Sequence, residues 1–178
     1  MSVTVVATPG ASNANSFQTV AEIDTYYESR VPASVADEWR DADSDEKDAA
    51  AVMATRVMTA SILWTGYETD VTQPLPWPRE GMFLRNGRDY VANNVIPREL
   101  KDAHAELSRM LLTTDRTAES DVAAQGITSV KAGSVKITFR DYAPSPDVLP
   151  DTVVDYLVPS WIDEIINQTT MEKELRRS

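Results

Sequence analysis

Three prolines fall within the seven residues Gln73-Pro74-Leu75-Pro76-Trp77-Pro78-Arg79, set around a tryptophan and closed by an arginine. Proline fixes φ, lacks an N–H and pushes the residue before it toward extended geometry. The tract can therefore be neither a helix nor a central strand, and predicts a stiff, extended loop. That loop carries an indole that favours burial. The helical pattern before it ends in Leu63-Trp64-Thr65-Gly66, which brings a second tryptophan close in sequence. Two roles stay open. Either Trp77 plugs a core and Arg79 pairs with a nearby carboxylate, or the loop is part of a subunit contact, with Trp77 and Arg79 binding a partner.

The rest of the chain reads as mainly α: a helical bundle with a small β-hairpin and extended termini. Residues 1–16 pair a short Val3-Thr4-Val5-Val6 run with small residues and predict a flexible N-terminal arm unless something pins it. Residues 17–125 are the helical core. Thr19 and Glu22 make a capping box for a first helix that runs to about Arg30, with Val20, Ile23 and Tyr26 or Tyr27 inward. Asp43 or Ser44 caps a second, in which Ala49, Met53, Arg56 or Val57, Ala60 and Leu63 or Trp64 recur at helical spacing and Gly66 marks the end. Pro97 opens a third, with Leu100, Ala103, Leu107, Met110 and Leu111 as its inner stripe. Residues 126–140 alternate as a hairpin around Ala132-Gly133. Residues 141–178 give a proline linker, an apolar helix from Val153 to Ile166 broken near Pro159, and a charged tail.

Composition narrows the chemistry. The chain has 178 residues, enough for one domain, and no cysteine, which removes disulfides and thiolate metal sites. No apolar run approaches the roughly 20 residues that cross a bilayer, so no membrane partner is expected. The N-terminus has no basic region, and a secretory signal is not expected. Seventeen basic side chains face 28 acidic ones, a net charge of −11. Residues 21–48 alone hold ten acids and three bases. A protein that grips phosphate backbones shows a basic face, and this balance does not supply one.

Catalytic sets are equally hard to find. The one histidine, His104, sits on the third helix and reads as a partly exposed or hydrogen-bonded structural residue. Neither a phosphate-cradling glycine loop nor a nucleophile elbow occurs. Asp41, Asp43 and Asp45 start like a calcium loop, but its sixth and twelfth positions are Glu46 and Val52 rather than glycine and glutamate. The run reads as a solvated loop and helix cap. No catalytic, cofactor-binding or metal-binding residue is expected, and no enzyme.

The order of several short runs is informative. Asn15-Ser16-Phe17 precedes Thr19-Val20-Ala21-Glu22-Ile23-Asp24-Thr25-Tyr26-Tyr27. Then come Ala49 to Arg56, Trp64-Thr65-Gly66, the Gln73–Arg79 tract, and Ile96-Pro97-Arg98-Glu99-Leu100 with Ala103 and Glu106-Leu107. Over residues 15–112 this resembles the head–tail connector, or head-completion adaptor, proteins of tailed phages, some of which are described as DnaT-like single-stranded-DNA-binding. Met58-Thr59-Ala60 departs from the family's usual aspartate, and the chain beyond the hairpin has no counterpart. The resemblance implies a virion neck protein, present in the host cytoplasm during assembly. It would form a ring on the portal vertex, often twelvefold, and join the DNA-filled head to tail or neck proteins. Double-stranded DNA would pass through its lumen without specific binding. The alternative is a single-stranded-DNA-binding accessory protein.

At the C-terminus only the physics of the residues speaks. Trp161, Ile162, Ile165 and Ile166 form an apolar face, and Arg176 and Arg177 a basic end; all are candidate partner-binding residues. Docking of this segment on a neighbouring subunit or the portal is expected in preference to folding back. On that expectation, truncation after Pro150 leaves a folded monomer.

Overall fold

The computed structural model describes residues 3–116, 129–132, 135–138 and 148–166, the two short middle stretches by their backbone. Its architecture is mainly α, with small two-stranded antiparallel sheets. Helix α1 (Val20–Glu28) opens with the expected capping box, Thr19 accepting from the Glu22 amide and Glu22 reaching back. A 3-10 turn (Ala33–Ala36) leads into the short α2 (Asp37–Asp41), whose Trp39 is fully buried. Helix α3 (Ser44–Ser61) starts with a second capping box on Asp43 and Glu46, which accounts for part of the acidic run. Helix α4 (Arg98–Thr113) follows Pro97 and packs along α3, the most extensive pairing in the molecule.

Two apolar clusters flank the α3–α4 pair. The smaller gathers Ile23, Tyr27, Ala36, Trp39, Ala50, Ala51 and Ala105, with the Tyr27 and Trp39 rings stacked at 5.9 Å. Ala50 and Ala51 on α3 and Ala105 on α4 are the small residues against which α1 and α2 pack in this cluster. The larger holds Phe17, Val57, Met58, Trp77, Leu100, Leu107 and Trp161. The arm at the N-terminus is pinned: Asn15 Oδ1 accepts from the Val6 amide at 2.7 Å, and its Nδ2 donates to the Thr4 carbonyl at 2.9 Å.

The structure departs from expectation at two places. Helix α3 ends at Ser61, and Ile62, Leu63 and Trp64 form strand β1. The segment expected as a final helix is a short α5 (Asp151–Val154), a 3-10 turn (Pro159–Trp161) and a strand, β6 (Ile162–Ile165), antiparallel to β1. Isoleucines at 162, 165 and 166 fit helical spacing, but β-branching suits them to a strand once a partner edge is present. This segment folds back: Leu149, Val153, Leu157, Val158 and Trp161 are all buried in the larger cluster. Expected docking of this stretch on a neighbour gives way to packing on its own core. The remaining strands are β2 (Tyr67–Glu68) with β3 (Arg79–Glu80), and β4 (Ser129–Ala132) with β5 (Val135–Thr138), the latter pair lying in the expected hairpin.

Truncation after Pro150 strips four buried side chains, Val153, Leu157, Val158 and Trp161, from the cluster around Trp77, so the shortened chain should lose its cooperative melt. A truncated protein with a sharp thermal transition would contradict the placement of Trp161. Trp77→Ala should lower stability by roughly 3–5 kcal/mol, read by urea unfolding.

Candidate functional site

The proline tract is a built unit. Trp77 is 1% exposed and meets Trp64 edge-on at 5.6 Å and Trp161 at 5.2 Å. Arg79, 7% exposed, turns its guanidinium onto main-chain carbonyls: Nε to Thr65 at 2.8 Å, Nη1 to Pro76 at 3.0 Å, Nη2 to Gly66 at 2.9 Å and to Trp64 at 3.3 Å. The expected carboxylate is present only at the margin, Glu68 at 3.9 Å. A planar fork of donors suits several carbonyls at once. Gln73 Nε2 adds bonds to the Leu75 and Pro78 carbonyls. At Gly66, with φ 68°, a Cβ would run into the Glu80 carbonyl and come 2.7 Å from Met82 Sδ. The turn therefore needs glycine.

These distances locate the candidate partner-binding residues. Trp77, Arg79 and Trp161 are core, and none offers a surface to a partner; Trp161 Nε1 donates to the Phe83 carbonyl at 2.5 Å. Ile162 and Ile165 are partly buried in β6, and Ile166 is 48% exposed at its end. Arg176 and Arg177 lie outside the described residues.

The buried polar side chains form two networks. His104 is fully buried; its Nε2 lies 2.9 Å from both the Ala51 carbonyl and Thr55 Oγ1, and its Nδ1 lies 3.2 Å from Gln18 Nε2. Nε2–H donating while Nδ1 accepts satisfies a neutral ring. Burial pushes its pKa from 6.5 down to about 4. Glu106, 2% exposed, accepts from Tyr26 at 2.7 Å and faces Arg109 at 3.4 Å and Arg30 Nε at 3.1 Å. Burial, then Tyr156 and Glu106, push the Tyr26 hydroxyl far above its usual range. Together the two networks tie α1, α3, α4 and the segment after α5 to one another. No cluster of metal-ligating side chains occurs among the described residues.

What remains exposed is more suggestive of binding. Residues 82–91 form a hairpin-like turn in which Asn86-Gly87 reverses the chain, Val91 donates to Met82 at 2.8 Å, and Phe83 and Tyr90 stack at 4.4 Å. Tyr90 is 64% exposed and Tyr67 79%. Thr69 bonds the Asn93 carbonyl and Asn93 bonds Glu80, whose strand partner is Tyr67, so the segments carrying both tyrosines are tied together. Arg88, near the tip, makes no ion pair among the described residues, while Arg85 is held by the Tyr156 and Leu157 carbonyls. In the sequence these tyrosines carry one local signal, the Asn86-Gly87 pair set between aromatic residues.

Residues 1–177 match the family described as "Putative DnaT-like ssDNA binding protein". Searches of curated proteins and of solved structures give no match.

The His104 ring links stability to pH. An unfolded chain takes up the proton below about 6.5, whereas the folded ring resists it until about 4. Its contribution is thus complete above pH 6.5 and is lost as pH falls toward 4, on the order of 3 kcal/mol. Urea unfolding across this window should show the fall, with a shallower slope in His104→Gln.

Proposed function

The chain belongs to the DnaT-like family, and from that premise we propose that it is a binding protein without catalytic chemistry, acting as a structural adaptor in a phage neck. In this reading it forms a ring on the portal vertex and gives the tail a docking surface. The supporting observation is the fate of the residues that resemble the connector proteins. Trp64, Gly66, Trp77 and Arg79 are not scattered; they interlock into one unit that fixes the loop between α3 and α4. A net charge of −11 suits a surface past which DNA slides without sticking.

The family description favours the second reading, single-stranded-DNA binding, over the first. The surface that would serve it is the pair of exposed tyrosines with Arg88: open aromatic faces stack bases, and arginine neutralises backbone phosphate. The acidic balance opposes this reading, because 28 acidic side chains outnumber the 17 basic ones that could neutralise phosphate.

Two measurements separate the readings. Fluorescence anisotropy with a thymidine oligonucleotide at physiological salt should show no binding tighter than about micromolar, the non-specific range. Nanomolar binding that Tyr90→Ala and Arg88→Ala abolish would instead establish the second reading. Negative-stain images of portal-bearing heads mixed with the protein should show added density on the vertex, and bare vertices at saturating protein would overturn the adaptor.

A further inference from the structure

Of the six asparagines in the chain, only Asn86 is followed by a glycine. Such a pair is chemically vulnerable wherever its backbone is free. The Gly87 nitrogen can attack Asn86 Cγ, with no Cβ on the glycine to obstruct the approach. A Cγ–N bond forms, the Cγ–Nδ2 bond breaks, and the Gly87 amide proton leaves with Nδ2 as ammonia. Residues 86 and 87 are then joined in a cyclic imide. Water adds to either carbonyl of that ring, giving aspartate or its β-linked isomer.

In the folded chain each group that this reaction needs is already engaged. The Gly87 N–H donates to the Leu84 carbonyl at 2.8 Å. Asn86 Oδ1 accepts from the Arg88 and Asp89 amides at 2.9 and 3.1 Å, and Nδ2, the leaving group, donates to Asp89 Oδ2 at 2.7 Å. The turn is closed behind them by the Leu84 amide, which donates to the Asp89 carbonyl at 2.7 Å, and by the Phe83–Tyr90 stack. Two amides on Oδ1 would by themselves favour attack, because they stabilise charge on that oxygen. Here they also fix the side chain, while the nucleophile is held by Leu84. We propose that Asn86 is a modification site whose deamidation the folded turn withholds, so that the reaction proceeds only through local opening. Asn86 is exposed, so hydrogen bonding and not burial protects it. Loss of Nδ2 removes the donor that Asp89 holds, and the β-linked product lengthens the backbone between Leu84 and Asp89. A turn that has reacted in this way does not reclose in its original form. Tyr90 stands on the same turn, 64% exposed, so the modification falls beside an open aromatic ring whichever partner that ring meets. The inference rests on neither reading of function.

Peptide mapping by mass spectrometry tests this on the full chain, incubated in mildly alkaline buffer with and without urea. The peptide that carries residue 86 should gain the mass of an amide-to-carboxyl exchange at least about tenfold more slowly in the native protein than in the unfolded one, because reaction through opening scales with the open fraction. Asn86→Gln, incubated in urea, should lose that mass gain, which assigns it to this residue. Asp89→Ala frees Nδ2 and leaves both backbone donors in place. It should react faster than the wild type in native buffer and equally fast in urea, with an unchanged thermal melt. Equal rates for the wild type with and without urea would overturn the proposal, and so would a mass gain that persists in Asn86→Gln. A native rate in Asp89→Ala no faster than that of the wild type would overturn the part given to Asp89.

Discussion

The fold depends on one arginine holding a loop that cannot hold itself. Between Trp64 and Arg79 the chain has too many prolines and turns to satisfy its own carbonyls in a ladder. Arg79 answers four of them from a nearly buried position. Burial disfavours the guanidinium charge, and Glu68 at the rim offsets part of that cost. Paired in this way the cation is tolerable; with its acceptors removed it would not be. Lysine could not replace it, since one ammonium cannot spread donors across carbonyls from four different residues.

With the loop fixed, Trp77 becomes a platform for both ends of the chain. Trp64 reaches it from β1 and Trp161 from the C-terminal segment, and Phe17 joins the same cluster from the N-terminal side. Trp161 in turn donates to the Phe83 carbonyl, and Arg85 reaches back to Tyr156 and Leu157. The exposed tyrosine-bearing turn is therefore braced from behind by the C-terminal segment. The His104 and Glu106 networks fix helix register through directional bonds rather than volume. Leaving any one of these groups unpaired would cost more than the bond it makes.

Function follows from what this interior leaves outside. Several acids of the first third of the chain serve in caps, such as Glu22 and Asp43, and in surface ion pairs such as Lys47–Asp24 and Lys101–Glu22. The exposed aromatic surface is the Tyr67–Tyr90 region. Aromatic rings on a rigid turn serve a protein partner or a nucleic-acid base equally well by contact. The chain carries 28 acidic against 17 basic side chains.

The sequence by itself determined the local elements. Capping residues Thr19, Glu22, Asp43 and Glu46 marked helix starts, Pro97 opened α4, and the stripe Leu100, Ala103, Leu107 gave its inner face, because caps and periodicity act over a few residues. The proline tract's non-helical course was legible for the same reason, while burial of Trp77 was one of two readings the sequence left open. Tertiary structure alone decided the rest. Residues 162–165 could be helix or strand until β1 offered an edge. Arg79's partners are carbonyls, which every residue carries, so no sequence pattern could single them out. His104 became fully buried only because Gln18 and Thr55 arrive from distant positions to satisfy both ring nitrogens. Contacts across such separations leave no local periodicity, and only the folded chain brings their partners within hydrogen-bond reach.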